Sequence, residues 1–293
     1  MNTKTAMITI AGRPNVGKST LTNYLVGEKI TIVSNKPQTT RNRICGIVTR
    51  DNLQFVFVDT PGYHRARTKL GDYMVSAVRE SIADVDATIL VVEPIASIGA
   101  QEEALLEQLR GSRVILAINK IDTVEKDKLL EVIDVYAQTG AFDAIIPISA
   151  KTGDGVEELL YECEKYAVDS PFLFPEDVTT DQPEKQVMAE IIREKLLWCL
   201  EKEIPHGTAV EITRFTERDN GIIDLDATIY CEKASHKGII IGKQGAMLKK
   251  ISSLARQDCE RFMGTKVYLT TWVKVKENWR DSDFLVRNFG YRE

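Results

Sequence analysis

Long apolar runs are absent from this chain. No stretch of its 293 residues approaches the ~18 consecutive apolar side chains that cross a bilayer as a helix, so a membrane-spanning helix is excluded. Cysteine and histidine are scarce. The five cysteines (Cys45, Cys163, Cys199, Cys231 and Cys259) are scattered, never forming a CxxC pair, and there are three histidines. That excludes a disulfide framework and a cysteine-rich zinc site, and fits a reducing compartment. The opening MNTKTAMITIAG lacks the charged lead, long apolar centre and small-residue cleavage site of a secretion signal, so a cytoplasmic location is expected. Internal repeats and low-complexity tracts are missing as well.

What the chain does have is core-forming material and an uneven charge distribution. Hydrophobic residues make up 43% and charged residues 28%, the composition of a globular chain, and the length suits two domains. The net charge is −5, yet residues 185–293 hold 19 basic against 16 acidic side chains, and Lys233 to Lys276 hold 10 against 2. A basic patch on an acidic protein suggests a polyanionic partner for that part alone, with a solvated charged face as the alternative.

The first ~165 residues alternate apolar runs with helical patterns. Strands are expected at 6–11, 53–59, 87–93, 113–118 and 144–149, and helices near 18–27, 72–83, 101–110, 126–138 and 155–167. The last four strands are mostly continuous apolar runs, as strands covered on both faces are, so this is an α/β domain with a mostly parallel sheet wrapped by helices. Residues 44–50 alternate and meet 53–59 through Asp51–Asn52, which predicts one antiparallel edge strand. The stretch VDSPFLFPEDVTTDQP, 168–183, has three prolines and no period, and reads as a linker. Beyond it a helix at 184–203, strands at 208–215 and 223–232, two helices separated by a glycine loop, and a strand at 266–276 predict a smaller α+β domain.

Gly12-Arg13-Pro14-Asn15-Val16-Gly17-Lys18-Ser19, followed by Thr20, comes directly after the first strand and opens the first helix. Glycines there let backbone N–H groups turn inward on phosphate oxygens, at a helix N-terminus that favours negative charge. Lys18 is positioned to reach the β- and γ-phosphates and Ser19 to ligate Mg²⁺. Asp59-Thr60-Pro61-Gly62 ends the third strand, with Asp59 as a water-mediated Mg²⁺ ligand and Gly62 N–H as a γ-phosphate sensor. The polar loop 32–43 supplies a second Mg²⁺ hydroxyl, Thr40 or its competitor Thr39. Asn119-Lys120-Ile121-Asp122 follows a buried strand, where open α/β sheets bind ligands, and a carboxylate there can accept from guanine N1–H and the 2-amino group. Ser149-Ala150-Lys151 ends the last strand of this domain, with Ala150 N–H facing guanine O6. GTP and GDP are therefore the expected nucleotides.

In the second domain, Ile241-Gly242-Lys243-Gln244-Gly245 lies between two helices, with Lys249 and Lys250 close by in sequence. That is the KH arrangement, whose GxxG loop clamps a single-stranded RNA backbone. Lys274 and Lys276 on the last strand add basic contacts, and Trp272 and Trp279 are stacking candidates, although tryptophans beside strands more often pack. The order β-β before the loop and β after it suggests the type II KH fold.

The P-loop, switch threonine, DTPG, NKID and SAK segments over 1–167 resemble those of translation-factor-class GTPases. With the type II KH domain at 184–293, and with the PQTTR, FPED, MAEIIREKL and WVKVK segments, the whole chain resembles the Era family of ribosome-assembly GTPases. That resemblance implies a GTPase binding the 3′ region of 16S rRNA during small-subunit maturation, active as a monomer and associating peripherally with the inner face of the cell membrane. In one respect the chain departs from Ras-like enzymes. Tyr63 follows Gly62 where those enzymes place a water-positioning glutamine, so slow intrinsic hydrolysis is expected. Asn15 resembles the asparagine that binds K⁺ in GTPases with this replacement. His64 reads as an exposed loop residue, and no side chain is assigned as catalytic base.

Overall fold

The computed structural model describes residues 3–62, 68–83 and 85–291. Contacts divide them into two units: 3–31, 40–62 and 74–181 in the first, and 32–39, 68–73 and 182–291 in the second.

The first unit is a sheet in the order β2-β3-β1-β4-β5-β6. It comprises β1 (Lys4–Gly12), β2 (Ile44–Arg50), β3 (Leu53–Asp59), β4 (Ala87–Val92), β5 (Val114–Ile118) and β6 (Ala144–Pro147). All neighbours pair in parallel except β2 with β3, the antiparallel hairpin expected from the alternating 44–50 segment. Alternate residues of the central strands enter two different cores, which is why their sequences read as continuous apolar runs. On one side Ile10, Phe57, Val91 and Ala117 meet Leu21 and Leu25 of α1 (Lys18–Val26) and Leu159 and Leu160 of α5 (Val156–Glu164). On the other, Leu90, Val92, Leu116 and Ile118 meet Leu105 of α3 (Ala100–Gln108) and Val132 and Tyr136 of α4 (Lys126–Ala137). Residues 74–83 of a further helix, α2 (Lys69–Ala83), also belong to this unit.

The expected linker needs correction. Up to residue 181 it belongs to the first unit. Val168–Asp169 forms a two-residue strand, β7, antiparallel to the start of β1. Gln54, wholly buried, donates from Nε2 to Phe174 O (2.9 Å) and accepts from the Leu173 and Phe174 amides (2.9 and 3.0 Å). Thr179 O accepts from Ile47 N, and Asp181 Oδ1 accepts from Cys45 N. Phe174 and Val178 pack on Cys45, Ile47, Val56 and Val58. Residues 168–181 thus strap the β2–β3 side. Their fixing points are single and irregular, so no period marks them in sequence.

The second unit contains α6 (Glu184–Cys199), β8 (Ala209–Glu217), β9 (Ile223–Cys231), α7 (Ala234–Ile241), α8 (Ala246–Met263), β10 (Val267–Val275) and α9 (Asp283–Asn288). The sheet order is β10-β9-β8, with β8–β9 antiparallel and β9–β10 parallel. A parallel neighbour requires a crossover, which α7 and α8 provide. Ile192 and Leu196 of α6, Ile240 of α7, and Ile251 and Ala255 of α8 pack on Ala227, Ile229 and Cys231 of the central strand. Helix α6 also buries charge: Lys195 donates to Glu194 Oε2 (2.6 Å) and Asp258 Oδ2 (2.5 Å).

Candidate nucleotide and nucleic-acid sites

Backbone geometry shapes the phosphate loop. Gly12 and Gly17 have φ of +152° and +104°, and a Cβ would strike Val91 O at the first and the Asn119 amide at the second. Glycine is required there on both counts. Asn15, exposed, takes the left-handed conformation (φ 67°). Val16 is fully buried in the core, so only its backbone faces the loop interior. Lys18 Nζ donates to Gly12 O (3.1 Å) and Arg13 O (2.9 Å), which curls the loop around the ammonium. Burial, partly offset by attraction to Asp59, lowers the Lys18 pKa to about 8.

Three oxygens meet beside it. Ser19 Oγ lies 2.8 Å from Asp59 Oδ2 and 2.9 Å from Thr40 Oγ1. Asp59 is fully buried, and its Oδ1 has no hydrogen-bond partner. Burial raises its pKa to about 6, against the opposing effects of Lys18, the Ser19 hydroxyl and the Thr60 amide. An orphaned buried carboxylate oxygen beside two hydroxyls is an all-oxygen donor set suited to Mg²⁺. Thr39 is placed differently: its Oγ1 lies 2.6 Å from Lys36 O and 2.8 Å from Ser34 Oγ, inside the second unit's 32–39 segment. That segment is itself fastened to α6, with Glu194 Oε1 accepting from Val33 N (2.8 Å) and Trp198 Nε1 donating to Val33 O (3.0 Å). Thr20 follows Ser19 in the first turn of α1. Gly62 closes on the loop, where a Cβ would come within 2.8 Å of Pro14 Cα. Tyr63 and His64 lie outside the described residues.

The residues expected to read the base converge on the same loop. Asn119 Nδ2 donates to Val16 O (2.8 Å) and its Oδ1 accepts from Ala150 N (2.9 Å), so one buried amide joins three segments. The Ala150 amide expected to face guanine O6 is thereby engaged inside the protein. Asp122 is exposed, and its Oδ1 accepts from Ser149 Oγ (2.8 Å). Lys151 is exposed one residue beyond Ala150. Lys120, in the left-handed conformation, donates to Asn15 O (2.7 Å) and Glu93 Oε1 (2.5 Å).

Sequence reasoning missed the acidic residues behind this loop. Arg13 forms an ion pair with the nearly buried Glu102 and lies 3.5 Å from Glu93, which also holds Lys120. Glu93 therefore links the glycine loop at 12–19 to the Asn119–Asp122 segment. Arg13 is some 80 to 90 residues from its two partners and Glu93 is 27 from Lys120, and the only available signal was a carboxylate near the end of each of two elements.

In the second unit the GxxG loop stands open. Gly242 (φ 72°) lies against Met247, where a Cβ would approach within 2.7 Å, while nothing lies within 4 Å of a Cβ at Gly245 (φ 80°). Lys243, Gln244, Lys249, Lys250, Lys274 and Lys276 are exposed, and Ile241 is half-buried. Ile240 is core, whereas Ile239 is 49% exposed. Trp279 is core too: it is fully buried, donates to Gly207 O (2.9 Å) and packs edge-on to Phe289. Trp272 is exposed.

Residues 7–120 match the family of 50S ribosome-binding GTPases, and residues 203–280 match the KH domain. The chain is 51% identical to GTPase Era of Ruminiclostridium cellulolyticum, over 100% of this chain and 99% of that one. It is 48% identical to GTPase Era of Clostridioides difficile, over 99% of each chain. Among solved structures, Era in complex with MgGDPNP and nucleotides 1506–1542 of 16S ribosomal RNA aligns with a TM-score of 0.94 at 36% identity, covering 99% of this chain and 100% of that one. A tyrosine-to-alanine variant of Aquifex aeolicus Era bound to GDP and AlF4⁻ gives 0.94 at 35% identity, with the same coverage.

Proposed function

Because this chain belongs to the Era family of GTPases, we propose that it is a GTP–GDP switch that clamps the 3′ region of 16S rRNA during small-subunit assembly. The observation that carries the reading is that one chain holds both the Ser19–Thr40–Asp59 oxygen cluster and an open, lysine-bearing GxxG loop. Ser19 and Thr40 would ligate Mg²⁺ directly and Asp59 through water; the ion supplies positive charge that offsets the phosphate oxygens. Lys18 leaves its loop carbonyls for the β- and γ-phosphates, and the turned-in amides of the loop hold the remaining oxygens. Asp122 accepts from the guanine edge with Ser149 fixing its plane. Thr40 and Gly62 are the groups released when the γ-phosphate departs.

Filter binding of the rRNA 3′ segment at increasing salt tests the RNA half. A phosphate clamp loses affinity steeply as salt rises, and a flat response would overturn it. Potassium belongs to the same proposal: with a tyrosine following Gly62, K⁺ held by Asn15 supplies charge at the phosphates. GTP hydrolysis should rise when K⁺ replaces Na⁺, and Asn15→Ala should abolish the difference; equal rates in both salts for the parent would refute this. The proposal extends to the small ribosomal subunit as wider partner, a monomeric state, a cytoplasmic location and peripheral association with the membrane. Co-sedimentation with subunit precursors, size-exclusion chromatography and cell fractionation test these in turn. Among the described residues no helix is long and apolar enough to cross a membrane.

A further inference from the structure

The second unit's sheet has two faces, and its helices cover one. Leu269, Val273 and Val275 of β10 pack into the helical core. The alternate positions face outward: Tyr268 is 63% and Trp272 58% exposed, and Lys274 is exposed between Val273 and Val275. On the neighbouring strand the C-terminal segment covers this outer face, with Phe289 4.7 Å from the Tyr230 ring. On β10 two large rings stay in water, and the Arg218 guanidinium lies 5.7 Å over Tyr268. From Arg261 to Lys276 the chain has four basic residues and no acidic one. Arg218 is itself paired with Asp224 and Arg261 with Asp258, so the charge free to meet phosphates comes from Lys274 and Lys276, which follow the two rings along the chain. Exposed rings followed by lysines match the two things a nucleic-acid strand presents, flat bases and phosphates.

We propose that Tyr268 and Trp272 form a second, stacking platform for single-stranded RNA, taking bases of the same strand that the Gly242–Gly245 loop clamps. This rests on the RNA-binding reading above. Residues four apart on a strand are ~13 Å apart, room for two or three successive unstacked bases. The path is short. Ile240, two residues before Gly242, packs in one cluster with Val273 and Val275, so the end of α7 overlies the stretch of β10 whose opposite face bears Trp272 and Lys274. β10 is at the margin of its sheet. RNA leaving the loop therefore has one strand to pass, with Lys274 and Lys276 beside its phosphates. Stacking tolerates any base, so the platform adds affinity with strand length and little sequence preference.

The test titrates the full-length protein, loaded with a non-hydrolysable GTP analogue, with labelled RNAs of five and twelve nucleotides from the 16S rRNA 3′ end. The parent should bind the longer RNA at least ten-fold more tightly. Tyr268→Ala with Trp272→Ala should lose that gain and keep the affinity for the shorter RNA, at an unchanged melting temperature. Trp272→Phe should restore much of the gain, and Trp272→Leu should not, because stacking needs a ring. Equal length gains in parent and double variant overturn the platform and leave the clamp intact. A parent with no length gain overturns it as well, and leaves the face to a protein partner. A parent that binds neither RNA overturns the clamp reading together with it.

Discussion

Asp122, proposed above as the guanine reader, shows how one hydroxyl can fix the orientation of a carboxylate. Ser149 Oγ, 2.8 Å from Oδ1, sets the carboxylate plane while leaving acceptor capacity on both oxygens. Asp122→Asn exchanges one acceptor for a donor that faces guanine's own donors. Two hydrogen bonds to a charged group are worth about 3 kcal/mol or more, so GTP affinity should fall roughly 100-fold while xanthine nucleotides gain, as competition against labelled GDP would show. Asp59 adds a pH signature. Its folded-state pKa, raised by burial from the ordinary 3.8 to about 6, means the nucleotide-free protein holds a proton that the unfolded chain has lost. The stabilisation from that proton is complete below about 4 and disappears as pH rises through about 6. Mg²⁺ needs the ionised carboxylate, so MgGDP should bind more tightly at pH 7.5 than at pH 5.5, with proton release at the lower pH. Calorimetry in two buffers of different ionisation enthalpy measures it; no proton release would place Asp59 outside the metal cluster.

At the scale of elements, legibility followed repetition. Strands buried on both faces announced themselves as continuous apolar runs, and the glycine loops by their strand–loop–helix context; these placed the sheet, both glycine loops and the Asn119–Asp122 segment. Contacts made once and at long range left no pattern. The Arg13–Glu102 and Glu93–Lys120 pairs join residues whose proximity exists only after folding. Lys195 sits among the buried apolar residues of α6 with its counter-charges, Glu194 and Asp258, the second of them 63 residues away. The 168–181 strap is the largest such case, because prolines and irregular single bonds resemble a linker from sequence alone. Its dependence on Gln54 is testable. Gln54→Ala removes four hydrogen bonds, one to Thr49 Oγ1 and three to the strap, and leaves the Phe174 carbonyl and two strap amides without that partner. A loss of about 1–3 kcal/mol is expected. Limited proteolysis should cut the variant within 170–180 well before the parent, and equal cleavage rates would mean that Phe174 and Val178 hold the strap without it.

The whole molecule joins an acidic nucleotide-binding unit to a unit whose basic excess lies along 233–276, around its glycine loop, each with its own packed core. Such a division predicts separable losses. Changing Lys243 and Gln244 to Asp puts two negative charges where the proposed clamp would bring an RNA phosphate to the Gly242–Gly245 backbone. Both side chains are exposed and neither belongs to a core cluster. Gln244 has φ 51°, a left-handed conformation that Asp tolerates better than most residues, so the loop should keep its shape. Like-charge juxtaposition at a binding surface costs several kcal/mol, enough to lower RNA affinity by more than 100-fold. GTP affinity should stay within two-fold of the parent and the melting temperature within about 2 °C, because surface substitutions away from packed or paired groups usually change stability by ~0.5 kcal/mol or less. The three measurements belong on one purified preparation. Retained RNA affinity in a folded variant would reduce the GxxG segment to a turn between α7 and α8. Loss of GTP binding together with RNA binding would show instead that the loop's charge reaches the nucleotide unit, against the separation argued from sequence and packing.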